Sequence, residues 1–231
     1  MDLTSCPVSP KRWERTLKSS GTAVLHYSVC RPSFCDSGKQ QRIERYFERL
    51  TNLWQARCEN ELYQQACQAF AAWQSEEPFP PWRACMNYQV TYWNFPLLSV
   101  RIDIKEQGAT VPPAIHCIGE VWNCDGGYPC SLRSFLPTKP LRRKRHLIAL
   151  LQEQAGQRLN SGESLLDSNC LSAIKQFFDP SRFYLSEDGL ILFYPLYVLG
   201  SYGEGIPTFT VPASPEIQSN KLRAPSITAR R

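Results

Sequence analysis

The sequence has no run of about 18 apolar residues, so no helix drawn from it would cross a bilayer. Its first residues, Met1-Asp2-Leu3-Thr4-Ser5-Cys6-Pro7, lack the basic start and apolar stretch of a secretory leader. As written, a soluble cytoplasmic protein is expected. Histidine is scarce, with only His26, His116 and His146. There is no Gly-x-Ser-x-Gly elbow, and none of the motifs that mark a catalytic triad occurs. Cys-x-x-Cys is missing although the chain holds ten cysteines, so the usual close ligand pairs of a structural zinc site are not there. Gly200-x-x-Gly203-x-Gly205 is followed by neither the lysine nor the helix that a phosphate-binding loop needs. No repeat of 20–50 residues is visible, which excludes solenoids and propellers.

Charge of one sign is also thin. Of the formal +5, the segment after Pro212 supplies +3, with Lys221, Arg223, Arg230 and Arg231 against Glu216. The remaining body is near neutral, unlike a nucleic-acid binder, which gathers basic charge on one face of its fold. Arg142-Arg143-Lys144-Arg145 is the one dense basic run, and it reads as a solvated helix face. What the chain does have is 231 residues with 42% apolar and 12% aromatic content, enough for a full core. Its cysteines read as reduced thiols, small and mostly buried.

Residues 1–20 carry scattered polar residues and two prolines and read as a flexible lead-in. Ala23 to Val29 favours a strand. From Lys39 to Trp73 apolar residues recur at three and four, including Ile43, Phe47, Leu50, Leu53, Trp54, Leu62, Ala66 and Phe70. This predicts one long amphipathic helix, stopped by Pro78, Pro80 and Pro81. Cys85–Asn94 and Leu98–Glu106 predict a hairpin. In its second arm Leu98, Val100, Ile102 and Ile104 face one way and Ser99, Arg101, Asp103 and Lys105 the other. Ala114–Asn123 is a third strand, followed by the turn Asp125-Gly126-Gly127. Two shorter helices fall at about 140–159 and 167–178. A closing hairpin, Arg182–Ser186 and Leu190–Tyr194, turns at Glu187-Asp188-Gly189, and a last strand covers Thr208–Val211. Residues 213–231 read as a disordered basic tail. The sum is an α+β fold: antiparallel sheets, with the long N-terminal helix and two shorter helices on one face. It divides into a lobe over 21–110 and a second over 111–212.

The stretch Phe183 to Tyr194, then Tyr197, then Ser201-Tyr202-Gly203-Glu204-Gly205-Ile206-Pro207, resembles the closing motif of one family. In that motif an aromatic strand, an Asp-Gly turn and a second aromatic strand lead to a tyrosine and a Tyr-x-x-Gly loop. Val121-Trp122-Asn123 through Gly126-Gly127 to Leu132, Phe135 and Leu136 is similar to its middle segment. The family is the RsiV-like one: the lysozyme-sensing ectodomain of the sigma-V anti-sigma factor and the accessory domains of certain peptidoglycan deacetylases. The resemblance covers about 23–212 and implies a two-lobed α+β domain that binds a protein or a cell-wall-related ligand. The chain departs from the pattern after the first hairpin, where Gln107-Gly108-Ala109-Thr110 replaces a Gly-Gly-Ala-His-like turn and His116 lies further on. No counterpart of the anti-sigma factor's sigma-binding segment or membrane span is visible, and a near-neutral body gains no steering toward a strongly basic lysozyme.

Three functions follow as expectations. The first is a non-catalytic, bacterial protein- or glycan-binding module without a cofactor. It would use the aromatic loop Tyr197–Gly205, with Tyr197, Tyr202, Gly203 and Gly205, beside Trp122 and Asn123 in the turn to Cys130. Tyrosine and tryptophan bring large contact area at low entropic cost. The second is a wall glycan- or peptide-modifying enzyme with Asp188, Glu204 and His116 as acid–base groups. The third is a metal site on Cys117, Cys124, Cys130 and His116, weighed against buried thiols that pack a turn. Neither nucleic acid nor a membrane is an expected partner.

Overall fold

The computed structural model describes residues 6, 8–34, 38–108, 112–136, 143–162 and 164–212. The expected tail at 213–231 lies outside them. In chain order the elements are β1 (Val8–Ser19), β2 (Thr22–Phe34), α1 (Gln40–Arg57), a π turn at Cys58–Leu62, α2 (Tyr63–Ala71), β3 (Trp82–Asn94), β4 (Leu97–Gln107), β5 (Ala114–Asn123) and β6 (Tyr128–Pro129). Then come α3 (Arg143–Ser161), α4 (Cys170–Gln176), β7 (Phe183–Ser186), β8 (Gly189–Phe193) and β9 (Thr208–Pro212). Strands β1 to β6 form one sheet in sequence order, and β7 to β9 form a second.

Two features correct the sequence reading. Residues 8–19 are a strand rather than a flexible lead-in. The strand pairs along its length with β2 through a two-residue turn, Ser20-Gly21, whose φ angles of +50° and +84° are those that match a hairpin's twist. It escapes the pattern because it is an edge: only Val8, Trp13, Leu17 and Ser19 are partly covered, so no period of two appears. Pro10 and a run of charged residues blunt that edge against further pairing. Second, β2 and β3 are parallel, so the large sheet is mixed. A parallel pair needs a crossover, and the long helix is that crossover.

The helix keeps one buried line over its whole length, through Ile43, Phe47, Thr51, Trp54, Cys58, Leu62 and Ala66. A spacing of four drifts off the face of an α-helix with its 3.6 residues per turn. The π turn, closed by i→i+5 bonds, absorbs the drift where Trp54, Cys58 and Leu62 follow at intervals of four. Leu53, expected on the apolar side, is 63% exposed.

Strand parity decides what lies on each face of the large sheet. Leu98, Val100, Ile102 and Ile104 of β4 and Trp122 of β5 join Val24, Tyr27, Val29 and the helix line in one core. Each buried Val, Leu or Ile there contributes about 1.5–3 kcal/mol. The opposite parity faces the small sheet. Ser99 is fully buried, and its hydroxyl oxygen accepts the Leu185 N–H at 2.9 Å. Arg101 lies over the Tyr184 ring at 5.7 Å and pairs with Asp103 at 3.0 Å. A Cβ on Gly119 would sit 2.1 Å from the Phe183 carbonyl oxygen, so only glycine permits this approach. Beyond β7 and β8 a second core holds Leu147, Leu151 and Ala155 of α3, Ala173 and Ile174 of α4, and Leu97 and Val121. The helices therefore pack into two cores rather than on one face. Gln154 and Arg158 of α3 donate to the Thr210 and Thr208 carbonyls, both at 2.7 Å, which seals the β9 edge.

Acid should loosen this structure. Burial pushes the Glu44 carboxyl up, but its bonds from the Arg31 guanidinium and the Phe34 N–H outweigh that and hold it below the ordinary range. Glu59 is held low by the Tyr27 hydroxyl and then by Gln55 and Arg15, against burial. Asp179 is held low by Ser181. A carboxyl depressed in the fold stabilises it above the unfolded pKa and loses that contribution as pH falls. Glu120 is the opposite case: burial raises it, although Tyr46 donates to it. Its contribution is present at low pH and lost as pH rises through the folded value. Glu120→Gln, a stand-in for the protonated form, is expected to raise the melting temperature at pH 7 and leave it unchanged near pH 4. The wild type should weaken below about pH 4. Melting curves from pH 3 to pH 8 check both.

Candidate functional site

The loop after β8 is built to hold aromatic rings outward. Tyr194 is anchored by its hydroxyl, which donates to the Ile174 carbonyl at 2.9 Å. The next turn places Tyr197 at φ +66°, a left-handed conformation that costs a non-glycine residue about 1–2 kcal/mol. Gly200 pairs with Leu166, and the Ser201 and Asp167 N–H groups donate to the Leu165 and Leu199 carbonyls. Glu204 then accepts the Leu165 N–H at 2.7 Å and the Ser164 hydroxyl at 3.0 Å, closing the loop on residues 164–167. A Cβ at Gly200 would lie 2.5 Å from the Leu165 carbonyl oxygen, and one at Gly203 2.6 Å from Leu165 Cδ1. Gly200 serves the close approach of two backbone segments, whereas at Gly203 the neighbour is the end of an exposed leucine side chain that can swing aside.

On this fixed backbone Tyr197 and Tyr202 are 54% and 44% exposed, their ring centroids 6.2 Å apart with planes 35° from parallel. Leu165, 58% exposed, sits against Gly203 beside them. Two large rings and a leucine thus lie exposed together, with left-handed backbone at Tyr197 alone among the three.

The other expected site residues fall elsewhere. Trp122 is buried, packed on Tyr46 at 5.1 Å and Phe47 at 6.3 Å, and is thus part of the core rather than of a binding surface. The Asn123 side chain accepts the Gly126 N–H at 2.8 Å and so shapes its own turn. That turn packs on the start of α1, where Lys39 meets Asp125 at 3.2 Å.

The structure does not gather the candidate metal ligands. His116 and Cys117 are consecutive on β5 and point to opposite faces. Cys124 lies in the first core, and Cys130 packs against the second. Burial pushes the Cys117 and Cys124 thiols up to about 12 and Cys130 up to about 11, which disfavours the thiolates a metal would need. Among the described residues no group of three potential ligands comes together.

The candidate acid–base groups are also apart. Asp188 is in the β7–β8 turn, Glu204 is engaged as loop anchor, and His116 lines a cavity of about 570 Å³ with Trp54, Arg57, Glu106 and Arg182. In that cavity Glu106, 8% exposed, accepts two bonds from the Arg57 guanidinium at 3.1 and 3.0 Å and one from the Trp54 indole at 3.3 Å. Arg57 is partly exposed and also pairs with Glu61. Both oxygens of the Glu106 carboxylate are thus taken up by donors of the fold itself. Sequence reading passed over Glu106 and Glu120, yet both left a signal. Each is a carboxylate at an inward parity, Glu106 following Ile102 and Ile104 and Glu120 lying between Ile118 and Trp122.

Residues 138–214 match the family model described as "Protein of unknown function (DUF3298)". Two crystal structures share the fold along nearly the whole chain. One, of a DUF3298 family protein from Pseudomonas aeruginosa PAO1, is 16% identical with a TM-score of 0.61, over 96% of this chain and 97% of that one. The other, of a DUF3298 member from Bacteroides fragilis NCTC 9343, is 13% identical with a TM-score of 0.60, over 93% and 92%. No curated protein matches the chain. Among the described residues no helix is long and apolar enough to cross a membrane.

Proposed function

We propose that the protein is a non-catalytic binding module whose contact surface is Leu165, Tyr197 and Tyr202, and that its ligand is a cell-wall-related glycan. One observation carries this reading: two tyrosine rings stand exposed at 6.2 Å on a loop whose backbone is fixed and, at Tyr197, strained. Exposed rings whose positions are set before binding lose little entropy on contact. Rings with polar rims suit a ligand that is flat and apolar on one face and hydroxylated at its edge, as a pyranose is. The resemblance of 183–207 to wall-associated domains supports the same class. The separation of Asp188, Glu204 and His116 supports binding rather than turnover.

Co-sedimentation with purified peptidoglycan sacculi tests it. The wild type is expected to pellet with the sacculi. Tyr197→Ala with Tyr202→Ala should remain in the supernatant while changing stability by less than about 0.5 kcal/mol per site, as exposed positions do. Equal pelleting of both proteins would reject the surface. Tyr197→Gly separates the ring from the strain. It relieves the left-handed φ at some cost in chain entropy, so the melting temperature should stay level or rise, and pelleting should still fall.

A further inference from the structure

Sheet edges invite foreign strands, and several of the described edges are blunted. Strand β1 carries Pro10 and charged residues, β7 gives its Leu185 N–H to Ser99, and β9 is sealed by Gln154 and Arg158. The outer edge of β5 is different. Its partner β6 covers only Trp122 and Asn123. The outward carbonyls there belong to odd residues, since Val121 accepts the Cys130 N–H and Asn123 the Gly127 N–H, while the even Cys124 bonds inward to Pro96. The β4–β5 register runs without a bulge, so alternation turns the N–H and C=O groups of Ile115, Cys117 and Gly119 outward as well. No hydrogen-bond partner meets these groups among the described residues.

This bare edge is flanked by open volume. The cavity of about 570 Å³ borders Ile115, His116 and Cys117, and a second, of about 430 Å³, borders Gly119 and Val121. The charge around them is basic. Arg182, which also meets Asp179 at 3.5 Å, stands at the first and Arg133 at the second, whereas the carboxylates nearby are already engaged. Glu106 is held by Arg57, Glu120 by Tyr46 and Asp179 by Ser181 and Arg182.

We propose that the outer edge of β5 between Ile115 and Val121 is a second binding site, which takes an extended acidic peptide as an added antiparallel or parallel strand. The amides of Ile115, Cys117 and Gly119 would pair with the peptide main chain. Its carboxylates would meet Arg182 and Arg133, and its apolar side chains would enter the two cavities. A second copy of this chain fits the edge less well, because it would bring the same basic groups against themselves.

Amide exchange with the alternating hexapeptide acetyl-Glu-Val-Glu-Val-Glu-Val-amide tests the site. In the free protein the amides of His116, Ile118 and Glu120 should be protected, and those of Ile115, Cys117 and Gly119 should exchange fast. The peptide should slow exchange at those three. N-methylation of one alternating set of peptide amides should abolish the effect, and methylation of the other set should leave it. Arg182→Glu with Arg133→Glu should weaken binding about tenfold or more, because charge of the wrong sign at a rim acts mainly on encounter and affinity. Protection of the three amides without peptide, equal binding of the Lys-Val counterpart, indifference to N-methylation, or a concentration-dependent dimer that protects the same amides would each overturn the proposal.

Discussion

Gly119→Ala is expected to be among the most damaging single substitutions in the molecule. The new methyl would lie 2.1 Å from the Phe183 carbonyl oxygen, 2.7 Å from its carbon and 3.1 Å from the Phe193 ring. Two of those atoms are backbone and cannot swing aside. Strand β7 would have to retreat from β5, and with it the Leu185 N–H that pairs with buried Ser99 and the Tyr184 ring beneath Arg101. Overpacking of this severity costs about 3 kcal/mol or more, a fall of roughly 10 °C in melting temperature for a chain of this size. Gly156→Ala is the control. It lies in α3 with nothing within 4 Å of the added carbon, and helix propensity favours alanine there by about 0.5–1 kcal/mol. Two glycine-to-alanine changes of opposite sign, read by urea denaturation, would show that the sheets touch along this seam. A harmless Gly119→Ala would show that they do not.

Glu44→Ala should come close in cost. Arg31 is 3% exposed, and its guanidinium meets Glu44 at 2.7 Å and the Pro32 carbonyl at 3.0 Å. The other Glu44 oxygen takes the Phe34 N–H at 2.8 Å. Removing the carboxylate strands a buried cation and an amide. Breaking a buried pair from one side costs about 3–5 kcal/mol, and the lower end applies because Glu44 itself is 23% exposed. Arg31→Met should cost less, since the remaining carboxylate keeps the Phe34 N–H and some water. Arg31→Met with Glu44→Leu should recover most of the loss, because two apolar groups of similar volume need no partner. A double variant as unstable as Glu44→Ala alone would contradict this ranking.

How much of this was legible depends on where each residue's partner lies. The alternation of Leu98, Val100, Ile102 and Ile104, and the span of β5, follow from a period of two inside one strand. What covers Ser99 and Arg101 does not, because their partners on β7 lie more than eighty residues on. Strand β1 buries too little to leave a pattern, and the parallel pairing of β2 with β3 depends on how the helix crosses over. The loop at Tyr197–Gly205 was legible through its residue types. Trp122 misled for the reason that makes tryptophan ambiguous: the same ring suits a core and a contact surface. Glu106 and Glu120 were visible as parity violations, although nothing local told which cation or hydroxyl would meet them.

Titration of the isotope-labelled protein with soluble peptidoglycan fragments, followed by amide chemical shifts, tests the central claim most directly. Saturable shifts centred on Leu165, Tyr197, Tyr202 and Gly203, with the fragments recovered intact, are the expected result. Shifts centred on His116 and Glu106, cleavage of the fragments during the titration, or a loop that does not respond would contradict it.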